Sequence, residues 1–217
     1  MTLADELAQA RARSRASAEQ RQIFARATED LRATGITGEA LGVGEMAPDF
    51  TLPAADGRMV SLEGLIAGGP AVIVFYRGGW CPYCNITLVG FQRVLPEIER
   101  RGARLIAVSP ERPEHAANTR RNGALGFEVL SDPDGRVARL FGLWFTLPDD
   151  LAHTYRALGI DLPARNGNNS WALPMPATYV VGRDGVVAYA FVEADYTQRA
   201  EPAEVIAALD RLSGPTL

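Results

Sequence analysis

The chain has 217 residues, of which 47% are hydrophobic, and a formal net charge of −4. This size suits one domain with an extension, or a tight pair of domains. The acidic balance and the scattered basic residues argue against a nucleic-acid partner, and no apolar run approaches the roughly 20 residues of a membrane span. The N-terminus lacks the apolar core of a signal peptide, so we expect a cytoplasmic protein whose thiols are kept reduced.

The first segment predicts a helical extension. Residues 2–34 are rich in Ala, Arg, Glu and Gln and contain neither Pro nor Gly, which indicates one or two helices. Their large apolar residues are sparse, so they bury only a narrow stripe, against either the main domain or a second subunit. A Gly-rich hinge follows, and we divide the chain into an extension at 1–38 and a main domain at 39–217. Trp144 and Phe145 are further candidates for a dimer contact.

Strand and helix patterns alternate beyond the hinge. The predicted strands cover residues 50–52, 59–61, 71–76, 103–108 and 127–130, and a hairpin joins 177–181 to 186–191. The predicted helices cover residues 82–100 and 112–123, a segment ending near 141, and 203–212. Pro82 suits a first helical position, whereas Pro96 is expected to kink its helix or end the first part of it. This order predicts α/β layers around a mixed sheet.

Two cysteines, the only ones in the chain, lie in the Trp-Cys-Pro-Tyr-Cys segment at residues 80–84, between the strand 71–76 and the next helix. A helix N-terminus stabilises negative charge and lowers the pKa of a thiol there. We expect Cys81, nearer the helix end and the solvent, to supply the attacking thiolate, and Cys84, one turn along, to resolve the mixed species. Arg77 adds positive charge that favours the thiolate, and Trp80 would cover the edge of the thiol.

Three other interpretations of the cysteines remain open on local sequence. A structural zinc site wants four ligands, and the two histidines, His115 and His153, are distant in sequence, so no metal is expected. A structural disulfide closing so short a loop would stabilise little, and it is rare in the cytosol. Inert buried cysteines are the third interpretation. No cofactor is expected, because no Gly-rich dinucleotide fingerprint follows a strand.

Five segments carry a family resemblance. They are Ala47–Phe50, Phe75–Cys84, Ser109–Pro110, Ser131–Asp134 and Pro176–Val181. In this order they resemble the AhpC/TSA (alkyl hydroperoxide reductase/thiol-specific antioxidant) superfamily, and within it the peroxiredoxin-like branch that carries Tyr-Arg-Gly-x-Trp-Cys-Pro-Tyr-Cys. The resemblance covers roughly residues 40–212 and implies a thioredoxin-like fold, with a central mixed sheet flanked by helices. By this resemblance Cys81 matches the nucleophilic cysteine, Cys84 the resolving cysteine, and Pro176 the cis-proline that faces the dithiol.

The chain departs from typical peroxiredoxins around the first cysteine. Val74 and Gly78 stand where the typical motif has Pro and Thr or Ser, and Pro176 stands where an Arg usually precedes the late strand. In the typical enzymes the Thr hydroxyl helps to hold the peroxide. Arg77 and Arg199 are candidates to replace the missing Arg electrostatically. The site therefore resembles thioredoxin as much as peroxiredoxin.

The stretch Asp195–Pro202 also resembles this branch. Its polar residues Asp195, Tyr196, Arg199 and Glu201 form either a cluster near the site, a subunit contact, or a plain surface turn before the last helix.

The resemblance implies a thiol-dependent peroxidase. The Cys81 thiolate would attack the peroxide O–O bond and become a sulfenic acid, Cys84 would condense with it into a disulfide, and a thioredoxin- or glutathione-type donor would reduce the pair. One alternative is a thiol–disulfide oxidoreductase that uses the same two residues on disulfide substrates. The other is a non-catalytic partner-binding module that keeps a vestigial site.

Overall fold

The structure is a computed structural model that describes residues 1–214. A five-stranded mixed sheet forms its centre. In chain order the strands are β1 (Thr51–Pro53), β2 (Met59–Ser61), β3 (Ala71–Phe75), β4 (Arg104–Ser109), β5 (Glu128–Ser131), β6 (Trp144–Thr146), β7 (Ala172–Pro174), β8 (Ala177–Val181) and β9 (Val187–Val192). The central sheet has the order β5-β4-β3-β8-β9. Strands β3, β4 and β5 run parallel to one another, β8 runs antiparallel to β3, and β9 runs antiparallel to β8. The predicted mixed sheet is confirmed.

Ten helices surround this sheet within residues 1–214. They are α1 (Leu3–Ala12), α2 (Ala18–Ala33), α3 (Ile36–Glu39), α4 (Leu62–Ile66), α5 (Pro82–Arg100), α6 (Pro113–Asn122), α7 (Arg136–Leu140), α8 (Asp149–Ala157), α9 (Leu162–Asn166) and α10 (Pro202–Ser213). None of the helices in this part of the chain is both long enough and apolar enough to cross a membrane.

β3 lies in the middle of the sheet because its sequence is apolar on both faces. All five residues of Ala-Val-Ile-Val-Phe are buried, as expected for a strand covered on both sides. The strand pairs with β4 on one side and β8 on the other, so its C-terminal end meets the ends of both neighbours. That end leads directly into the Trp-Cys-Pro-Tyr-Cys segment.

α5 packs one face against the sheet along its whole length. Leu88, Phe91, Leu95 and Ile98 recur at helical spacing and are all buried. The helix begins at Pro82, as predicted, but it continues through Pro96 to Arg100, so the expectation that Pro96 ends its first part is wrong. Buried residues on both sides of Pro96 hold the two parts in one continuous helix, despite the backbone hydrogen bond that proline removes.

The N-terminal helices pack on the main domain. α1 buries Leu3 and Leu7, lies against α5, and forms an ion pair between Glu6 and Arg93. The carboxylate of Glu201 accepts hydrogen bonds from the backbone amides of Leu3 and Ala4 at 3.2 and 2.7 Å. The prediction of one or two helices over residues 2–34 is confirmed by α1 and α2, and α2 lies against α8. The boundary expected between residues 38 and 39 falls inside α3 and stays a prediction.

The segment from 142 to 176 holds elements that the sequence pattern did not predict. It contains the small β6–β7 sheet and the helices α8 and α9. Trp144 in β6 is partly buried within the chain, with the Arg139 guanidinium 5.0 Å from its ring centroid. Its role with Phe145 in a dimer contact stays a prediction.

Stability should depend strongly on the buried face of α5. Phe91→Ala removes a ring that is fully buried, so we expect the free energy of unfolding to fall by about 3–5 kcal/mol. Val89→Ala, two residues away and 40% exposed, should change it by less than about 0.5 kcal/mol. Chemical denaturation of both variants measures the difference, and equal losses would contradict the assignment of the buried face.

Candidate active site

The connection between β3 and α5 fixes the position of the first cysteine. Its backbone turns at Gly78, where φ is +144°, a conformation that side chains disfavour. A Cβ added there would lie 2.3 Å from Nε1 of Trp80, which fills the space beside the turn. The Thr that typical peroxiredoxins carry at this position therefore has no room here.

The two cysteines lie side by side at the start of α5. Cys81 occupies the N-cap position, both thiols are free, and the Cys81 thiol donates a hydrogen bond to the sulfur of Cys84. Cys81 is only 1% exposed and Cys84 is fully buried. Cys81 lies at the helix end and borders a cavity that is open to solvent, whereas Cys84 does not border it, so Cys81 is the cysteine nearer the solvent, as predicted.

Positive charge lies close to the Cys84 sulfur. Burial opposes its ionisation, but the hydrogen bond from Cys81 and the charges of Arg199 and Arg77 outweigh burial and lower the pKa of Cys84 to about 5. Nη2 of Arg199 lies 3.5 Å from the Cys84 sulfur. Burial and the neighbouring Cys84 raise the pKa of Cys81. The nearest guanidinium therefore contacts the second sulfur, and the expectation that Cys81 supplies the attacking thiolate stays a prediction.

Arg77 is a buried cation enclosed by aromatic rings. Its guanidinium carbon lies 4.3 Å from the ring centroid of Tyr196, 5.0 Å from that of Trp80 and 5.6 Å from that of Tyr155. It also donates a hydrogen bond to the Tyr155 hydroxyl. Burial favours the neutral form, but Tyr155 and the two cysteines outweigh this, and the pKa of Arg77 is raised. Within residues 1–214 no carboxylate forms an ion pair with Arg77.

The polar stretch at residues 195–201 divides between two places. Arg199 contacts Cys84 rather than Cys81, while Tyr196 packs on Arg77 and Asp195 borders the cavity. The Glu201 carboxylate instead accepts hydrogen bonds from the first backbone amides of α1. Three of the four residues therefore lie near the cysteines, and the fourth anchors the extension.

Glu111 belongs to the site and was not predicted from the sequence. It lies two residues past the end of β4, is 1% exposed, and its Oε2 accepts a hydrogen bond from the Gly79 amide at 2.8 Å. Burial raises the pKa of Glu111, against the effect of the Gly79 amide and of Arg165. It thus holds the turn that precedes Cys81. The sequence feature that could have indicated Glu111 is its position just past β4, the strand next to β3. Functional sites in α/β proteins lie at the carboxyl ends of such strands.

Pro176 does not have the predicted cis peptide bond, since all peptide bonds within residues 1–214 are trans. The chain runs extended from β7 into β8, and the amide of Met175 donates a hydrogen bond to the Leu143 carbonyl. The hydrogen bond at Met175 holds the backbone before Pro176 extended, and the trans peptide bond keeps the chain extended into β8. Pro176 borders a separate small cavity and not the larger cavity at Cys81, whereas Arg77 borders both.

A cavity of about 500 Å³ opens onto Cys81. Its inner walls are aromatic, and its outer wall comes from the N-terminal extension. The lining side chains include Arg77, Trp80, Tyr83, Tyr155, Tyr196, Phe24, Arg11, Arg15 and Arg21. The contribution of α1, α2 and their connection was not predicted, because nothing in a sparse polar helix indicates which surface it covers.

The histidines lie away from this cavity. His153 is exposed on α8 and His115 is partly buried on α6, and neither borders the cavity at Cys81. Among the described residues 1–214, no three His, Cys, Asp or Glu side chains come together in a way that could hold a metal ion.

Comparisons with known proteins agree with this geometry. The AhpC/TSA family model matches residues 43–190, more than half of the chain, so the chain belongs to the AhpC/TSA family. Peroxiredoxin Bcp of Escherichia coli is 31% identical over 104 residues, which cover 48% of this chain and 66% of that protein. The match thus spans just under two thirds of the curated relative.

Solved structures show the same fold. Peroxidoxin BcpB from Mycobacterium tuberculosis aligns with a TM-score of 0.63 at 21% identity, covering 79% of this chain and 98% of that one. AhpC from Mycobacterium tuberculosis aligns with a TM-score of 0.62 at 19% identity, covering 82% of this chain and 96% of that one. The predicted thioredoxin-like fold of the peroxiredoxin type is confirmed.

Arg199→Gln tests the electrostatics of the pair. In the wild type, the ultraviolet absorbance of the first thiolate should appear near the Cys84 pKa of about 5. Loss of the guanidinium at 3.5 Å should move this transition upward by about one pH unit or more. Arg211→Gln, an exposed arginine on α10, is the control and should leave it unchanged. A wild-type transition in the ordinary thiol range would contradict the assignment.

Proposed function

We propose that this chain is a thiol-dependent peroxidase in which Cys81 and Cys84 cycle between dithiol and disulfide. The observation that carries the proposal is the buried cysteine pair at the start of α5: the Arg199 guanidinium lies 3.5 Å from the Cys84 sulfur, and Cys81 borders a cavity that Arg77 also lines. Membership of the AhpC/TSA family and the similarity to peroxiredoxin Bcp support the same reaction.

The peroxide reacts at Cys81, because Cys81 and not Cys84 borders the cavity. The proton that Cys81 donates to Cys84 shifts fully onto Cys84, which leaves the thiolate on Cys81. This thiolate attacks one peroxide oxygen, the O–O bond breaks, and the other oxygen leaves as an alkoxide or hydroxide. That oxygen takes up the proton that Cys84 now holds, so Cys84 becomes a thiolate again. Arg77 and Tyr155 border the cavity and stabilise the charge on the leaving oxygen.

Cys84 then completes the oxidation. Its thiolate attacks the sulfenic sulfur of Cys81 and expels the hydroxyl as water, which forms the disulfide. In sum, two thiols and one hydroperoxide give one disulfide, one alcohol and one water. Two thiols of a donor, either a thioredoxin- or a glutathione-type reductant, restore the pair. Because such a cycle needs a reducing thiol pool, we place the enzyme in the cytoplasm.

A thiol–disulfide oxidoreductase is the second candidate, and one observation favours it. Gly78 supplies no hydroxyl to hold a peroxide, and the low pKa of Cys84 makes it a good leaving group in thiol–disulfide exchange. A vestigial, non-catalytic site has less support, since burial of Arg77 without a carboxylate partner is costly unless its charge serves the cysteines.

Single-cysteine variants test the peroxidase. With dithiothreitol as donor, Cys81→Ser should lower consumption of hydrogen peroxide and tert-butyl hydroperoxide by about a hundredfold or more, because the nucleophile is lost. Cys84→Ser, the matched control in the same motif, should still reduce one equivalent of peroxide and accumulate a sulfenic acid that dimedone traps.

The competing function has its own readout. Reduction of insulin disulfides by the same proteins reports thiol–disulfide exchange. Peroxide consumption that Cys81→Ser leaves unchanged would rule out the proposed peroxidase. Rapid insulin reduction with negligible peroxide consumption by the wild type would select the oxidoreductase instead.

A further inference from the structure

The cavity at Cys81 is far larger than hydrogen peroxide requires. A water molecule takes about 30 Å³ of the liquid, whereas the cavity measures about 500 Å³. Its walls are apolar and aromatic near the sulfur, with Phe24, Leu158 and Ile160 beyond the aromatic rings. This volume fits an organic molecule of peptide size.

The same geometry limits which reductant reaches the sulfur. Cys81 is 1% exposed at the inner end of the cavity, and α1, α2 and their connection form the outer wall. A folded protein must bring its cysteine past α1, α2 and their connection to reach this sulfur. A small thiol enters it directly.

Positive charge gathers at the outer wall, although the chain as a whole carries a net charge of −4. Arg11 and Arg15 border the cavity, are exposed, and have no hydrogen-bonded or ion-paired side-chain partner within residues 1–214. Arg21 lies beside them. Of the two acids on the wall, Glu29 is paired with Arg32, and Asp195 accepts two hydrogen bonds from Thr197 and lies within the field of Arg11. The arginines on the wall outnumber these acids. Such a wall attracts a carboxylate-bearing molecule and disfavours a cation.

We propose that the reductant of the Cys81–Cys84 disulfide is a low-molecular-weight thiol carrying carboxylate groups, and that Arg11 and Arg15 bind its carboxylates. The inference rests on the proposed dithiol–disulfide cycle and names the donor. The N-terminal extension is then the part of the chain that selects this donor.

The reduction takes two exchanges. The donor thiolate attacks the Cys81 sulfur, which faces the cavity, and the S–S bond breaks with the electron pair going to Cys84. Cys84 leaves as a thiolate held by Arg199. A second donor thiolate attacks the donor sulfur of the mixed disulfide and releases Cys81, which is reprotonated. Two donor thiols thereby become one donor disulfide.

Stopped-flow reduction of the oxidised full-length protein tests the proposal. The disulfide is made with diamide, so the test does not depend on whether peroxide is the natural oxidant. At equal thiolate concentration, glutathione should reduce the wild type about fivefold to tenfold faster than the neutral 2-mercaptoethanol. The double variant Arg11→Gln/Arg15→Gln should lose this preference while its rate with 2-mercaptoethanol is unchanged.

Arg13→Gln is the matched control, because Arg13 is exposed in the same connection but does not border the cavity. It should keep the preference for glutathione.

Equal rates for the two thiols in the wild type would overturn the proposal. So would faster reduction by a thioredoxin that is insensitive to Arg11 and Arg15. Slower oxidation of the double variant by a carboxylate-bearing hydroperoxide, with reduction unchanged, would assign the arginines to the oxidant instead.

Discussion

A single negative charge shared by two buried sulfur atoms is the constraint on which the site depends. Ionising a buried thiol is costly unless hydrogen bonds and opposite charges compensate it. Here the Cys81 thiol and the Arg199 guanidinium converge on Cys84, and Arg77 is held nearby in a box of three aromatic rings. The arrangement explains why a buried arginine has no carboxylate partner within residues 1–214: the cysteine pair supplies the compensating charge.

The fold brings these groups together at one edge of the sheet. β3 leads into Arg77 and the cysteines, β4 leads into Glu111, which holds the Gly79 amide, and the end of β9 leads into the loop that carries Arg199. α8 contributes the Tyr155 hydroxyl, and the extension closes the cavity from outside. The Trp80 ring fills the space beside the turn at Gly78, so no Thr hydroxyl can stand there.

The sequence predicted those features of the fold and the site that depend on residues close together in the chain. The apolar run of β3, Pro82 at the first position of α5 and the adjacent cysteines predict the strand, the helix and the position of Cys81. Sequence alone did not predict that Arg199 contacts Cys84, because 115 residues of chain separate the two. Nor did it predict that α5 passes through Pro96, since packing of its buried face overrides the local preference against proline.

The pH dependence of the reaction with hydrogen peroxide tests the shared charge most directly. The second-order rate constant for oxidation of the wild-type protein is measured by stopped flow in the absence of donor. A pair that already holds one thiolate, with the pKa of Cys84 at about 5, predicts a rate constant that stays level from about pH 6 to pH 8. A rate constant that rises about tenfold per pH unit toward 8.5 would contradict it, because the pair would then titrate as ordinary thiols.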